Sequence, residues 1–143
     1  MSGNYYKLFI SVGLFTLACC LSCSADEEII TCQRVPVWDD ELDATYGDPV
    51  VISHAEILSN CIEIRFNYAG CTENASFHLA IVEADNDVFP PERDVRLALA
   101  QDGDCAITHH GTLRVNLTSL QMAGSERVLL NLSGWAGQLE YGY

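Results

Sequence analysis

The stretch Cys61-Ile62-Glu63-Ile64-Arg65-Phe66-Asn67-Tyr68 decides the fold of this chain. From Ile62 to Tyr68 every second residue is apolar, and the residues between them are polar or charged. Because side chains of a β-strand point alternately to its two faces, this period of two is typical of a strand with one buried face. The stretch therefore predicts a strand that contributes several large side chains to a core.

Shorter stretches with strand character lie on both sides of it, at 50–57, 76–82, 95–100, 111–117, 127–132 and 138–143. Turn-forming sequences such as Tyr46-Gly47-Asp48-Pro49 and Pro90-Pro91 separate them, and 118–123 has room for one helical turn. Short strands at close spacing with no long helix between them are typical of a sandwich. We therefore predict an all-β fold, an antiparallel immunoglobulin-like β-sandwich of about seven strands.

The N-terminus has the organisation of an export signal. Lys7 precedes an apolar run from Leu8 to Ala18. This run is shorter than the roughly 20 residues that a membrane-spanning helix needs, and it matches the apolar region of a signal peptide. The predicted organisation is a signal peptide at 1–22, a flexible tether and irregular lead-in at 23–47, and a β-sandwich domain at 48–143.

The end of the apolar run, Leu21-Ser22-Cys23, resembles the lipobox of bacterial lipoproteins, although Cys20 stands where that family usually has leucine. The resemblance implies that Cys23 becomes the acylated first residue of the mature protein, and that the protein meets the membrane through this lipid. Thr16-Leu17-Ala18-Cys19 is a second match, which makes Cys19 the alternative lipidated residue.

The acidic run Asp26-Glu27-Glu28 resembles the signal that directs lipoproteins of the Bacteroidota to the cell surface. It implies a surface-exposed protein anchored to the outer membrane. The alternative is a secreted soluble glycoprotein, since Asn74, Asn116 and Asn131 begin N-glycosylation sequons. Two of these sequons lie in predicted strands rather than loops, and we interpret them as coincidental.

The charge balance argues against two classes of function, nucleic-acid binding and covalent catalysis by lysine. The chain has a formal net charge of −13, and its one lysine lies inside the signal peptide. An acidic surface without lysine repels phosphate backbones, which argues against nucleic-acid binding. It also excludes catalysis through a lysine Schiff base in the mature protein.

Cys32, Cys61, Cys71 and Cys105 form an even set behind the signal peptide, which in an exported chain favours two disulfides over a metal site. Four cysteines allow three pairings, and their positions do not choose between them.

The motifs Gly70-Cys71, Phe77-His78-Leu79, Pro90-Pro91 and Gly103-Asp104-Cys105 resemble a family of small Bacteroidota lipoproteins of unknown function. The match covers roughly residues 48–143 and departs from the family at Asn74, where histidine is usual. It implies a bridge between Cys71 and Cys105, which leaves Cys32 to pair with Cys61. The family implies no activity.

Motifs for metal binding and catalysis are weak. His109 and His110 are adjacent, so on a strand they point to opposite faces and are poorly placed to share a metal. Asp85-Asn86-Asp87 and Asp102-Gly103-Asp104 carry oxygen ligands suited to calcium, but they lack the spacing of a calcium-binding loop. No nucleophile elbow, zinc-protease motif or phosphate-binding loop is present. We therefore expect no metal, no cofactor and no enzyme, with a small hydrolase as the minor alternative.

The expected function is that of a surface binding or accessory module with a protein or glycan partner. Trp38, Trp135 and Tyr141 are the candidate contact residues, provided that they face solvent. The alternative is a structural envelope lipoprotein without a ligand.

Overall fold

The structure is a computed structural model, which describes residues 31–143 except residues 33, 43, 48–50, 74, 101–102 and 104. The predicted signal peptide at 1–22 and the lipidated residue Cys23 lie outside the described residues. Two 3₁₀ helices cover Asp39–Glu41 and Thr118–Leu120. The strands are β1 (Val37–Trp38), β2 (Tyr46–Gly47), β3 (Val51–Leu58), β4 (Cys61–Gly70), β5 (Phe77–Asp85), β6 (Glu92–Ala100), β7 (Ile107–Asn116), β8 (Arg127–Leu132) and β9 (Leu139–Gly142).

The strands form two sheets that enclose one core. The larger sheet has six strands in the order β1-β5-β6-β8-β9, and β2 pairs with the end of β6. The smaller sheet has the order β3-β4-β7. Most neighbouring strands are antiparallel, whereas the pairs β1–β5 and β6–β8 are parallel.

The predicted all-β sandwich is confirmed, with nine strands rather than about seven. The seven predicted strands correspond to β3–β9. The additional strands, β1 and β2, have two residues each, a length too short to produce an alternating pattern in the sequence. Both lie in the segment that we expected to be an irregular lead-in. The predicted helical turn is present as the 3₁₀ helix Thr118–Leu120.

The core sits between the two sheets, and β4 contributes its largest side chains. Phe66 and Tyr68 of β4 pack edge-on against Phe77 of β5, with ring centroids 4.6 Å and 5.0 Å apart. These contacts join the two sheets, because β4 and β5 belong to different ones. The remaining buried side chains come mostly from alternate residues of the strands, as the period of two predicts: Ile62, Ile64, Leu79, Ile81, Val95, Leu97, Leu113, Val115, Val128, Leu130, Leu132 and Tyr141.

Two disulfides stabilise the sandwich, Cys32–Cys61 and Cys71–Cys105. Their pairing is the one that the resemblance implies. Cys32–Cys61 attaches the lead-in to the first residue of β4, and Cys71–Cys105 joins the segments that follow β4 and precede β7. In the described part of the chain, no helix is long and apolar enough to span a membrane.

Candidate functional site

A groove with one aromatic wall crosses the outer face of the six-stranded sheet. Its volume is about 440 Å³. Side chains or backbone from β5, β6, β8 and the loop after β8 line it: Val82, Asp94, Val95, Arg96, Asn131, Leu132, Ser133, Trp135 and Gly137. It combines an aromatic ring and an aliphatic side chain with a few polar groups, which is the usual composition of a ligand site.

An irregularity in β5 shapes the floor of this groove. The register between β5 and β6 shifts between Ile81 and Glu83, so that Val82 is the extra residue of a β-bulge. Val82 and Glu83 are both exposed, although alternation alone would place one of them inside. The bulge thus presents an aliphatic side chain that is 52 % exposed.

Three planar polar side chains form a hydrogen-bonded ladder, and two of them, Asp94 and Asn131, line the groove with Val82. The Nε2 of Gln138 donates to the Oδ1 of Asn131 at 2.9 Å, and the Nδ2 of Asn131 donates to the Oδ1 of Asp94 at 2.8 Å. Parallel pairing of β6 with β8 places Asp94 directly beside Asn131. Each group is therefore held in a fixed orientation, while oxygen lone pairs remain for a ligand.

Arg96, the one cation among the described residues of the groove lining, is paired with a carboxylate. The Nε of Arg96 donates to the Oδ1 of Asp39 at 2.7 Å. Asp94 adds a negative charge on the same face. This balance favours an uncharged ligand over an anionic one.

Trp135 forms the wall of the groove, at the point where β8 ends. The backbone N–H of Ser133 donates to the carbonyl of Val95 at 2.8 Å, and the N–H of Trp135 donates to the carbonyl of Leu132 at 3.1 Å. The ring packs partly against the core and meets His54 edge-on, with centroids 6.4 Å apart. These contacts fix the ring while part of its surface faces the groove.

The other two aromatic candidates have different surroundings. Trp38 is 46 % exposed and lines a separate recess of about 570 Å³ with Val82 and the acidic stretch Asp39–Glu41. Tyr141 is fully buried, so the expectation that it contacts a ligand is wrong. Alternation along β9 turns it inward, where its hydroxyl donates to Asn60 and accepts from Gln121, each at 2.8 Å.

The outer face of the three-stranded sheet carries a buried carboxylate that is hydrogen-bonded to two arginines. Glu63 of β4 is buried there beneath two arginines. Its Oε1 accepts from the Nε of Arg65 at 2.8 Å, and its Oε2 accepts from the Nε of Arg114 at 2.7 Å. The hydrogen bond from Arg114, followed by that from Arg65, lowers the pKa of Glu63 below its ordinary value.

The contacts of His109, His110 and Asp85 explain these residues structurally, whereas Asp102 and Asp104 of the second aspartate motif lie outside the described residues. His109 and His110 face opposite sides, as predicted: His109 lies against the ring of Tyr68, and His110 is hydrogen-bonded to Asn67 on the outer face. The Oδ1 of Asp85 accepts from the backbone N–H of Asp87 at 2.9 Å, which is a turn contact. Among the described residues, no three histidines, cysteines or acids are grouped so that they can hold a metal ion.

The three sequons have different outcomes. Asn116 ends β7 and Asn131 lies within β8, so the prediction that two sequons lie in strands is confirmed. Asn74 lies outside the described residues. Sequence reasoning singled out Asn131 only as a sequon and missed Asp94 and Val82 as groove residues. Their juxtaposition depends on the bulge and on parallel pairing, which leave no signal in a single sequence.

The groove can bind a ligand through one aromatic ring, one aliphatic side chain and oriented amide and carboxylate groups. No protein-family model matches the chain, and neither the curated proteins nor the solved structures yield a match to it.

Proposed function

We propose that this protein is an outer-membrane lipoprotein, anchored through Cys23 and exposed at the cell surface, that binds an uncharged glycan in the groove walled by Trp135. It is a binding or accessory module and not an enzyme. The anchor rests on the lipobox-like Leu21-Ser22-Cys23 and on the acidic run that follows it. The sheet supplies Val82, Asp94 and Asn131, and strands hold contact residues more firmly than loops do.

One observation carries the proposal of a glycan ligand, namely that Trp135 lines the same groove as Asp94 and Asn131. Gln138 holds Asn131 in place from outside the lining. Sugar rings offer an apolar face of C–H groups, which stacks on an aromatic ring, and pairs of hydroxyls around their edge. Amide and carboxylate groups that are fixed by hydrogen bonds are suited to such hydroxyl pairs, because each offers adjacent donors or acceptors. Val82 adds an apolar contact between these groups.

The anchor is tested by intact-mass spectrometry of the full-length product purified from its native membrane. We expect a chain that starts at Cys23 and carries acyl groups. Reduction is expected to add four hydrogens, two for each disulfide. The variant Cys23→Ala should accumulate unprocessed, whereas Cys19→Ala should be acylated normally. An unacylated soluble product, or one that carries N-glycans, contradicts the anchor.

The ligand is tested by screening the purified full-length protein on an array of neutral oligosaccharides, followed by calorimetry with the strongest hit. Val82→Arg fills the groove floor with a long charged side chain and is expected to abolish binding. Val51→Arg is the matched control, because Val51 is 50 % exposed and lies on β3 of the other sheet. No neutral glycan bound, or equal binding by both variants, contradicts the groove as the site.

A further inference from the structure

A further recess lies at the edge of the sandwich where the lead-in crosses it. Unlike the Trp135 groove and the recess beside Trp38, it is lined by arginines and by no acidic side chain among the described residues. Its volume is about 480 Å³. Residues from the lead-in, from the start of β5 and from β7 line it: Thr31, Arg34, Phe77, Thr112, Leu113 and Arg114. Two guanidinium groups and two threonines thus surround apolar residues in a chain whose net charge is −13.

Two attachments fix the backbone around Arg34. The disulfide Cys32–Cys61 joins the lead-in to β4, and the carbonyl of Arg34 accepts from the backbone N–H of Asn116 at 2.7 Å. Arg34 also forms an isolated parallel bridge with Val115 of β7. The guanidinium donates to the carbonyl of Phe77, which orients it over the recess. The side chain is therefore arranged before any ligand arrives, which lowers the entropic cost of binding.

The second guanidinium belongs to Arg114, whose Nε donates to Glu63. Each guanidinium has five N–H donors, so both arginines keep donors beyond these bonds. Glu63 is buried and is shared by Arg114 and Arg65. The described lining of the recess thus holds two guanidinium groups and no acidic side chain, which gives it a positive charge. In agreement, burial and then the charge of Arg34 lower the pKa of the neighbouring His78.

We propose that this recess binds an oxyanion group, a carboxylate, phosphate or sulfate, between the guanidinium groups of Arg34 and Arg114. Guanidinium forks match the planar or tetrahedral oxygens of such groups, and charge-assisted hydrogen bonds of this kind are short and strong. The site is separate from the Trp135 groove and does not depend on the glycan proposal. A single oxyanion contacts the two arginines at short range, and salt screens its repulsion from acidic side chains farther away. A polyanion would lie close to many of these acidic side chains at once and would be repelled by them.

The test is a titration of the full-length protein in detergent, followed through the side-chain Nε–H resonances of its arginines in ¹⁵N-correlated spectra. Acetate, inorganic phosphate and sulfate are added separately at constant ionic strength, with chloride as the balancing anion. We expect saturable shifts of the Arg34 and Arg114 resonances with at least one oxyanion. The oxyanion that saturates identifies whether the natural group is a carboxylate or a phosphate or sulfate.

Arg34→Gln keeps a donor for the Phe77 carbonyl but removes the charge, and it is expected to weaken binding at least about tenfold, as for loss of one charge-assisted hydrogen bond. Arg127→Gln is the matched control, because Arg127 is an exposed arginine paired with Glu140 on β9. Arg34→Lys should recover part of the affinity. Shifts that never saturate in the native protein, or an unchanged dissociation constant in Arg34→Gln, overturn the proposal.

Discussion

The ring of Phe66 on β4 lies directly over Gly111 on β7, so that a Cβ at position 111 would meet the Cζ of Phe66 at only 2.5 Å. The two residues face each other in the register of the β4–β7 pair. The ring therefore occupies the space that a side chain on β7 would need. Phe66 in turn packs against Phe77 of the other sheet, which makes this close approach part of the contact between the sheets.

We expect Gly111→Ala to reduce the free energy of unfolding by about 1–3 kcal/mol, the usual cost of forcing a methyl group into a packed core. The measurement is urea denaturation with both disulfides intact. Gly142→Ala is the control, since the nearest atom to its Cβ would be 4.0 Å away. The explanation fails if both substitutions have the same effect. Adding Phe66→Leu to Gly111→Ala should recover part of the loss, because the smaller side chain leaves room for the methyl group.

Replacement of Glu63 by glutamine is expected to cost about 1–3 kcal/mol at neutral pH, since both charge-assisted hydrogen bonds are weakened. The loss should depend on pH in a predictable direction. Hydrogen bonds from Arg114 and Arg65 lower the pKa of Glu63 from its ordinary value of 4.5, so its contribution is complete above that pH. It is lost as the pH falls through the lower pKa of the folded state.

The check is a comparison of denaturation curves of the native protein and Glu63→Gln between neutral pH and the acid limit of folding. Their difference should shrink on acidification below pH 4.5, because protonated glutamic acid resembles glutamine. Glu140→Gln is the control, since its exposed pair with Arg127 contributes little. A difference that stays constant with pH contradicts the ionic role of Glu63.

Replacement of Arg93 by methionine is expected to leave the free energy of unfolding unchanged or to raise it by about 1–3 kcal/mol, the usual cost of burying a poorly compensated polar group. Arg93 is buried, and burial lowers its pKa. Its guanidinium donates to the carbonyl of Glu92 at 2.8 Å and to the Sδ of Met122 at 2.9 Å. In the described part of the chain, no carboxylate is hydrogen-bonded to it, so the cost of burying the charge is poorly compensated.

Thermal and urea unfolding of Arg93→Met and of the exposed control Arg127→Met measure this effect. A loss of more than about 1 kcal/mol in Arg93→Met alone would contradict it, and would show that the hydrogen bond to Glu92 outweighs desolvation.

Removal of either disulfide is expected to cost about 3–4 kcal/mol in the chain-entropy model, because the two bridges span similar separations of 29 and 34 residues. The double variants Cys32→Ser/Cys61→Ser and Cys71→Ser/Cys105→Ser test this by urea denaturation.

The same two double variants should differ in their effects on oxyanion binding. Only the first pair holds the lead-in and Arg34 in place, so only its loss should weaken binding of the oxyanion that the titration identifies. Equal binding by the two variants contradicts this role of Cys32–Cys61.

Period-two patterns predicted the longer strands well, and β4 shows why. Each apolar residue from Ile62 to Tyr68 is buried, because a strand with one face on the core must alternate. The same reasoning assigned Glu63 to an exposed face, yet Glu63 is buried. Its cover comes partly from Arg114 on β7, 51 residues later in the chain. Local alternation identifies a face of a strand but not what lies above that face.

The candidate site was predictable only in part. The tryptophans stood out by type, and Trp135 does line the groove, whereas Tyr141 is a core residue. Asp94 and Asn131 drew no attention as a pair, because nothing local distinguishes them from other polar residues on strands. Parallel pairing of β6 with β8 makes them neighbours, and the bulge at Val82 opens the floor beside them.

The sequence by itself determined the strand content, the inward faces of the long strands and the presence of an even set of cysteines that forms disulfides. These features depend on side-chain periodicity and composition, which are local properties of the chain. The tertiary structure alone decided the parallel pairs, the burial of Glu63, the groove beside Trp135 and the arginine-lined recess. Each of these depends on residues far apart in the sequence, whose meeting is fixed by strand order and register rather than by any short segment.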